Sequence, residues 1–176
     1  MDKLHIITDD VAANKSSSHR TIEQALSTTH ISLAHGNGGR YMRQLITDLF
    51  LHHLGNQYLD TQADAVTVPV NSRDIVVTTD GFTVQPLEYP GGNIGSLAVH
   101  GTINDLAVAG ATPLYLTINT FIEEGFEIAT LDRIIQSMAR AAQKADIFIV
   151  AGDTKVVRRG EGSGLDRARG HPPGLR

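Results

Sequence analysis

The chain has 176 residues, of which 41% are hydrophobic and 19% charged, with a net charge of −4 and a pI near 6.0. That length can bury a real core in one domain, while the acidic balance argues against a general nucleic-acid binder, which carries a basic face. The absence of cysteine excludes disulfides, thiolate zinc sites and a cysteine nucleophile within this chain. No apolar run approaches bilayer length, and Met1-Asp2-Lys3 opens without the basic start and apolar stretch of a secretion signal. The expected compartment is the cytoplasm, with no membrane partner.

Residues 1–29 are polar and irregular, with Ser16-Ser17-Ser18, and read as a loosely held extension in which Ile22, Ala25 and Leu26 make one weak helical turn. After Gly39, Met42, Leu45, Ile46, Leu49, Phe50 and Leu54 recur at three- and four-residue steps, predicting one apolar helix face that stops at Gly55-Asn56. Asp74 to Thr79 reads as a buried strand ending at Asp80-Gly81. Pro90-Gly91-Gly92-Asn93 is a turn that hands over to a helix of about Ile94 to Ala109, with Asn93 as N-cap and Gly110 as stop. Leu114 to Phe121 alternates like a strand, Thr130 to Lys144 is a second amphipathic helix, and Ile147 to Ala151 is a short buried strand ending at Gly152-Asp153. Mixed elements in this order predict an α/β (α+β) domain, a mixed sheet with flanking helices, over residues 30–164. Gly160 to Gly164 reads as a surface turn. Beyond it, residues 165–176 are Arg-, Gly- and Pro-rich and read as a disordered tail where a last strand is expected.

Asp80 and Asp153 are placed at strand ends, where open sheets present ligand groups, and Asp105 sits mid-helix beside Asn104. Mg²⁺ takes hard oxygen ligands, one or two carboxylates plus substrate phosphates, so three converging aspartates would suit it. A single Asp before Gly is more often a turn residue. Gly36-Asn37-Gly38-Gly39, flanked by His35 and Arg40, and Gly91-Gly92-Asn93 both precede helices, where bare backbone amides can approach phosphate. Each alone also reads as an ordinary turn. Neither is a P-loop, and Tyr41 stands where the dinucleotide fingerprint needs its last Gly. Lys155, two residues past Asp153, can serve as a point charge or proton carrier. His52 and His53 are neighbours on a helix and face apart. His5, His19 and His171 lie in polar ends, and His35 and His100 are the better-placed histidines. No His-Glu-x-x-His signature or Gly-x-Ser-x-Gly elbow occurs.

Five motifs in order and spacing carry a resemblance. They are Leu33-Ala34-His35-Gly36-Asn37-Gly38-Gly39, Thr78-Thr79-Asp80, Tyr89-Pro90-Gly91-Gly92-Asn93-Ile94-Gly95, His100 to Ala107, and Ala151-Gly152-Asp153-Thr154-Lys155-Val156-Val157. From about Ile31 to Gly164 the chain resembles the N-terminal half of the HypE family, the carbamoyl dehydratases of hydrogenase maturation. The resemblance implies the superfamily of aminoimidazole ribotide synthetase, selenophosphate synthetase and thiamine-monophosphate kinase, with ATP under a glycine-rich loop and Mg²⁺ held by aspartates. It places Gly36, Asn37, Gly38 and Gly39 in the ATP-covering loop and Asn93 in a matched loop. Asp80, Asp105 and Asp153 match the metal-linked aspartates, and Lys155 takes a catalytic charge or proton role.

The resemblance further implies a homodimer, a HypF-like carbamoyltransferase that delivers the carbamoyl group, and a HypC–HypD complex that receives cyanide. The implied reaction converts a C-terminal thiocarboxamide to thiocyanate for the [NiFe]-hydrogenase cyanide ligand. This chain departs from the family in lacking the terminal acceptor cysteine, the last strand of the first domain and the second domain, and is expected to be inactive alone. A relative such as selenophosphate synthetase is the second enzyme reading, which the lack of a Cys-bearing loop near the start argues against. A non-catalytic dimerisation or nucleotide-binding module is the alternative from another class.

Overall fold

A computed structural model describes Ile22 and residues 26–161. The tail 165–176, Gly162 to Gly164, most of the extension 1–29, and His5, His19 and His171 lie outside the described residues.

A 3₁₀ turn, Leu33–Gly36, leads into an unbroken helical run over 40–54, called α1 here. The apolar positions expected to share a face do so, and Leu45, Leu49, Phe50 and Leu54 are all buried. Within α1 the stretch Ile46–Leu51 is π-helical, a local widening of the turn that simple three- and four-residue spacing does not foresee. Gly55 closes the run, its N–H donating to Leu51 O at 3.0 Å.

The expected buried strand Asp74–Thr79 is not formed. Ile75, Val76 and Val77 are 66%, 54% and 80% exposed, and no ladder is assigned there. Strand propensity describes fitness for a pleated surface, and a segment without a pairing partner does not hold a strand in water.

A two-residue hairpin follows, β1 (Glu88–Tyr89) antiparallel to β2 (Gly92–Asn93), around Gly91 at φ +93°. Asn93 then caps α2 (Ile94–Val108), its Oδ1 accepting the N–H groups of Gly95 at 3.0 Å and Ser96 at 3.2 Å. Ser96 answers by accepting the Asn93 N–H on its hydroxyl at 3.1 Å, a reciprocal cap. At the far end Gly110 adopts φ +74°. Its N–H reaches Ala107 O, and that of Ala111 reaches Leu106 O, both at 2.9 Å, the paired bonds of a left-handed helix stop.

β3 (Tyr115–Glu123), α3 (Ile128–Lys144) and β4 (Phe148–Val157) form a strand–helix–strand unit. The strands pair in parallel from Tyr115↔Phe148 to Glu123↔Val157, with one irregularity at Leu116/Thr117. Parallel pairing requires a crossover, which α3 supplies. The buried residues of α3, namely Ile128, Leu131, Ile134, Ile135, Met138, Ala141 and Ala142, repeat at helical spacing and face α1, α2 and the sheet. The core gathers Leu45, Leu49, Val99, Leu116, Ile122, Ile135 and Ile149 from every layer. α2 crosses α3 so closely at Gly95 that a Cβ there would overlap the Ile134 carbonyl.

β4 runs on to Val157, past the expected end at Ala151. Asp153 therefore lies inside a strand, not beyond one. Gly152 lets the strand continue, because its bare face lies against Ile118, whose carbonyl oxygen would stand 2.8 Å from a Cβ.

Candidate functional site

The glycine-rich segment is seated on β4. Its entry is fixed by His35, which lies 2% exposed under the 3₁₀ turn. The Ser32 N–H donates to His35 Nδ1 at 3.0 Å, and the Ser32 hydroxyl also lies 3.0 Å from that nitrogen. A Cβ on Gly36 would stand 2.7 Å from Val156 Cβ and 3.0 Å from Val156 N. Only glycine lets the two backbones approach this closely. Asn37 Oδ1 accepts the Gly39 N–H at 3.1 Å, Gly38 turns the chain at φ +75°, and Arg43 Nη1 donates to Gly38 O at 3.2 Å. The Arg40 guanidinium lies 5.2 Å from the Tyr41 ring centroid.

Asp153 and Lys155 share one face of β4, being two residues apart in a strand, and Val156 belongs to the other face. Lys155 Nζ meets Asp153 Oδ2 at 2.7 Å, and both side chains are about half exposed (57% and 52%). The hydrogen bond from Lys155 holds the Asp153 carboxyl below the usual carboxylate range; burial pushes the other way but is outweighed. Between them Thr154 is buried and accepts a hydrogen bond from the Thr120 hydroxyl at 3.0 Å, pinning that part of β4 to β3. A cleft of 180 Å³ opens alongside, lined by Met42, Ile46 and Phe50 of α1 and by Gly152 and Asp153 of β4, with Asp60 and Asp64 from the connecting loop.

The chain thus brings Gly36 to Val156, next in sequence to Lys155 but on the other face of the strand. It does not gather all three aspartates. Asp80 is exposed on the segment that was expected to follow a strand, and its Oδ1 accepts the Gly81 N–H at 2.7 Å. Asp105 is exposed on α2 beside exposed Asn104. Among the described residues no group of three or more His, Cys, Asp or Glu side chains could hold a metal ion. The carboxylates are the hard donors Mg²⁺ prefers, but among the described residues they do not form a cage. Asn93 is buried, with its side-chain oxygen taken by the cap of α2 and its amide 3.5 Å from Arg133 O. His100 is exposed on α2. The His52 and His53 rings meet edge to face at 4.8 Å, and His53 Nε2 instead pairs with Asp132 at 2.5 Å.

Ser32, Asp60 and Asp64 escaped sequence reasoning. Ser32 had a signal, since a serine three residues before a side chain that answers its own backbone is the capping-box spacing. Asp60 and Asp64 sit in a loop with no periodicity to mark them.

Residues 62–166 match the family model "AIR synthase related protein, N-terminal domain". The chain is 54% identical over 135 residues to carbamoyl dehydratase HypE of Bradyrhizobium diazoefficiens, covering 77% of this chain and 39% of that protein. To carbamoyl dehydratase HypE of Escherichia coli it is 45% identical over 136 residues, covering 74% and 40%. A crystal structure of the hydrogenase maturation protein HypE in complex with ATP superposes with a TM-score of 0.71 at 47% identity, over 73% of this chain and 38% of that one. The chain therefore spans about 40% of the length of the curated relatives it matches. No helix among the described residues is long and apolar enough to cross a membrane. With a family model matched over more than half its length and the HypE relatives alongside, the chain belongs to the AIR synthase related proteins and carries their N-terminal domain.

Proposed function

We propose that this chain is the nucleotide-binding N-terminal part of a HypE-like carbamoyl dehydratase, with ATP phosphates held under the Gly36–Gly39 loop. The observation that carries this reading is the contact of Gly36 with Val156, one residue from Lys155, in a chain 47% identical to a HypE solved with ATP. Glycines at 36, 38 and 39 let the loop backbone approach phosphate oxygens, and Lys155 supplies a point charge.

In the whole protein the reaction removes the oxygen of a C-terminal thiocarboxamide to leave a thiocyanate. An amide oxygen leaves poorly, and transfer of a phosphoryl group from ATP makes it a good leaving group. The role of this chain is to orient that group and offset its charge. Lys155 acts there as a charge or proton carrier, and Asp80, Asp105 and Asp153 are the assigned carboxylates toward Mg²⁺, which arrives on the nucleotide. Asn93 contributes through the backbone of its turn, its side chain being committed to α2. The partners are a HypF-like carbamoyltransferase, a HypC–HypD complex and a second copy of the protein, in the cytoplasm.

The test is thermal melting of the chain with ATP, with and without Mg²⁺. At a hundredfold excess over Kd, binding adds about 2.7 kcal/mol, which raises Tm by roughly 5–11 °C for a chain of this size. A rise that requires Mg²⁺ supports a formed site. The second reading, a non-catalytic dimerisation module, is favoured by the ungathered carboxylates, and the absence of any shift with ATP would establish it over the first.

A further inference from the structure

β3 is paired along one side only. β4 follows it from Tyr115↔Phe148 to Glu123↔Val157, and among the described residues no strand lies along its other edge. β4 has further neighbours, since Ile149 O accepts from Asn56 Nδ2 at 2.8 Å and Gly36 sits against Val156. An open edge presents a row of unpaired N–H and C=O groups, and soluble proteins blunt such edges with Lys, Pro or short strands. β3 has nine residues, Tyr115-Leu116-Thr117-Ile118-Asn119-Thr120-Phe121-Ile122-Glu123, with no Lys or Pro, and its one charge stands at the end. Thr117 and Asn119 are exposed and Phe121 is 72% exposed, an apolar ring beside an open ladder.

We propose that a second copy of this chain occupies this edge, the two β3 strands pairing antiparallel about a two-fold axis at Asn119, the middle residue of the nine. A two-fold contact uses the same patch on both copies and closes on itself. In that register Thr117 faces the partner's Phe121, Leu116 the partner's Ile122, Ile118 the partner's Thr120 and Tyr115 the partner's Glu123. Aromatic against β-branched and aliphatic against aliphatic are favourable cross-strand pairs, and no like charges stand opposite. The charges nearest on the exposed face, Asp153 and Lys155, lie one strand away on β4 and offset each other at 2.7 Å. The two-stranded sheet of one chain thereby becomes one continuous sheet across both copies, which two strands alone sustain poorly. This contact gives a seat to the second copy named above. It is independent of the nucleotide site, so melting with ATP can succeed where this contact fails.

The experiment is sedimentation equilibrium of the wild-type chain and two double variants, all without nucleotide. The wild type should show a monomer–dimer equilibrium. Thr117→Lys with Phe121→Lys sets like charges opposite one another twice across the two-fold, and the dimer Kd should rise at least about tenfold. Thr117→Lys with Phe121→Asp sets opposite charges there instead, and should dimerise at least about tenfold more tightly than the first variant. Both positions are exposed, so each variant should keep the wild-type circular dichroism. Equal Kd values for the two variants overturn the register and the proposal with it. Hydrogen exchange reads the same edge in the wild type without any substitution: alternate amides of β3 should exchange at least about tenfold more slowly in concentrated than in dilute protein. A wild type that stays monomeric up to its solubility limit overturns the contact. So does a dimer whose β3 amides exchange at the same rate at every concentration, and so does a chain that dimerises only once residues 162–176 are removed, which would make that segment the occupant.

Discussion

Replacing Gly95 by alanine tests the packing that holds α2 against α3. In an open helix this change stabilises, by up to about 1 kcal/mol. Here the new Cβ would fall closer than 3.0 Å to the Ile134 carbonyl, a backbone atom that cannot swing aside, and 3.2 Å from Asn93 Oδ1. Relieving the overlap moves the helices apart by roughly 1 Å, a gap that forfeits a quarter to a half of each dispersion contact across it. Overpacking of this kind costs about 1–3 kcal/mol. Set against the propensity gain, the net loss is about 1–2 kcal/mol, or roughly 2–8 °C in Tm. Gly81→Ala is the control, because nothing lies within 4 Å of its Cβ position and its φ is ordinary; it should change stability by less than about 0.5 kcal/mol. The assay is thermal unfolding followed by circular dichroism. If G95A melts at or above the wild-type temperature while G81A is unchanged, the close helix crossing is not what the backbone geometry says.

Asn93→Ala should destabilise by about 1 kcal/mol, since it strips the acceptor from two N–H groups at the start of α2; urea unfolding with an unchanged m-value would register it, and a midpoint equal to wild type would contradict it. Lys155→Met should raise the Asp153 pKa toward its ordinary value, because the Lys155 hydrogen bond is the largest influence holding it down. A carboxylate depressed in the folded state stabilises above its unfolded pKa of about 3.9, and that contribution fades as pH falls through the folded value. The advantage of wild type over K155M should therefore be present at neutral pH and vanish in acid. It should not exceed about 0.5 kcal/mol, both side chains being half exposed. Carboxyl NMR titration of Asp153 reads the shift directly, and identical titrations in both proteins would remove the ion pair from the account.

Much of the scaffold was legible because its signals are local. α3 carries its apolar face at regular steps, Asn93 precedes a run of small residues as a cap should, and Gly110 stops α2 with a positive φ. What failed depends on partners distant in sequence. Ile75, Val76 and Val77 have strand propensity, but propensity does not name a neighbouring strand, and in this chain they stand exposed. Gly152-Asp153 looked like a terminator, yet Gly152 is there for the close approach of Ile118, which only the folded sheet reveals. The π-helical stretch of α1 likewise has no local signature. For the site, the glycine-rich loop was recognisable from its residues, while its seat on Val156 and the unpaired nitrogen of His35 were not, because both are facts of packing.

The two halves of the candidate site differ in how they can be assembled. The loop and β4 meet through backbone contact and need no ion. The carboxylates cannot be brought together so simply: two unit charges 4 Å apart repel by about 4 kcal/mol at an effective dielectric of 20, and three make the cost larger. Within the chain, Asp153 takes its counter-charge from Lys155 and Asp80 is satisfied by the Gly81 N–H, so each has a local alternative to convergence. Phosphates alone add negative charge and make gathering worse; a divalent cation reverses the sign. It follows that an ATP-induced rise in melting temperature without Mg²⁺ would report the loop half alone, and that the Mg²⁺-dependent part of the rise is the measure of whether Asp80, Asp105 and Asp153 act together.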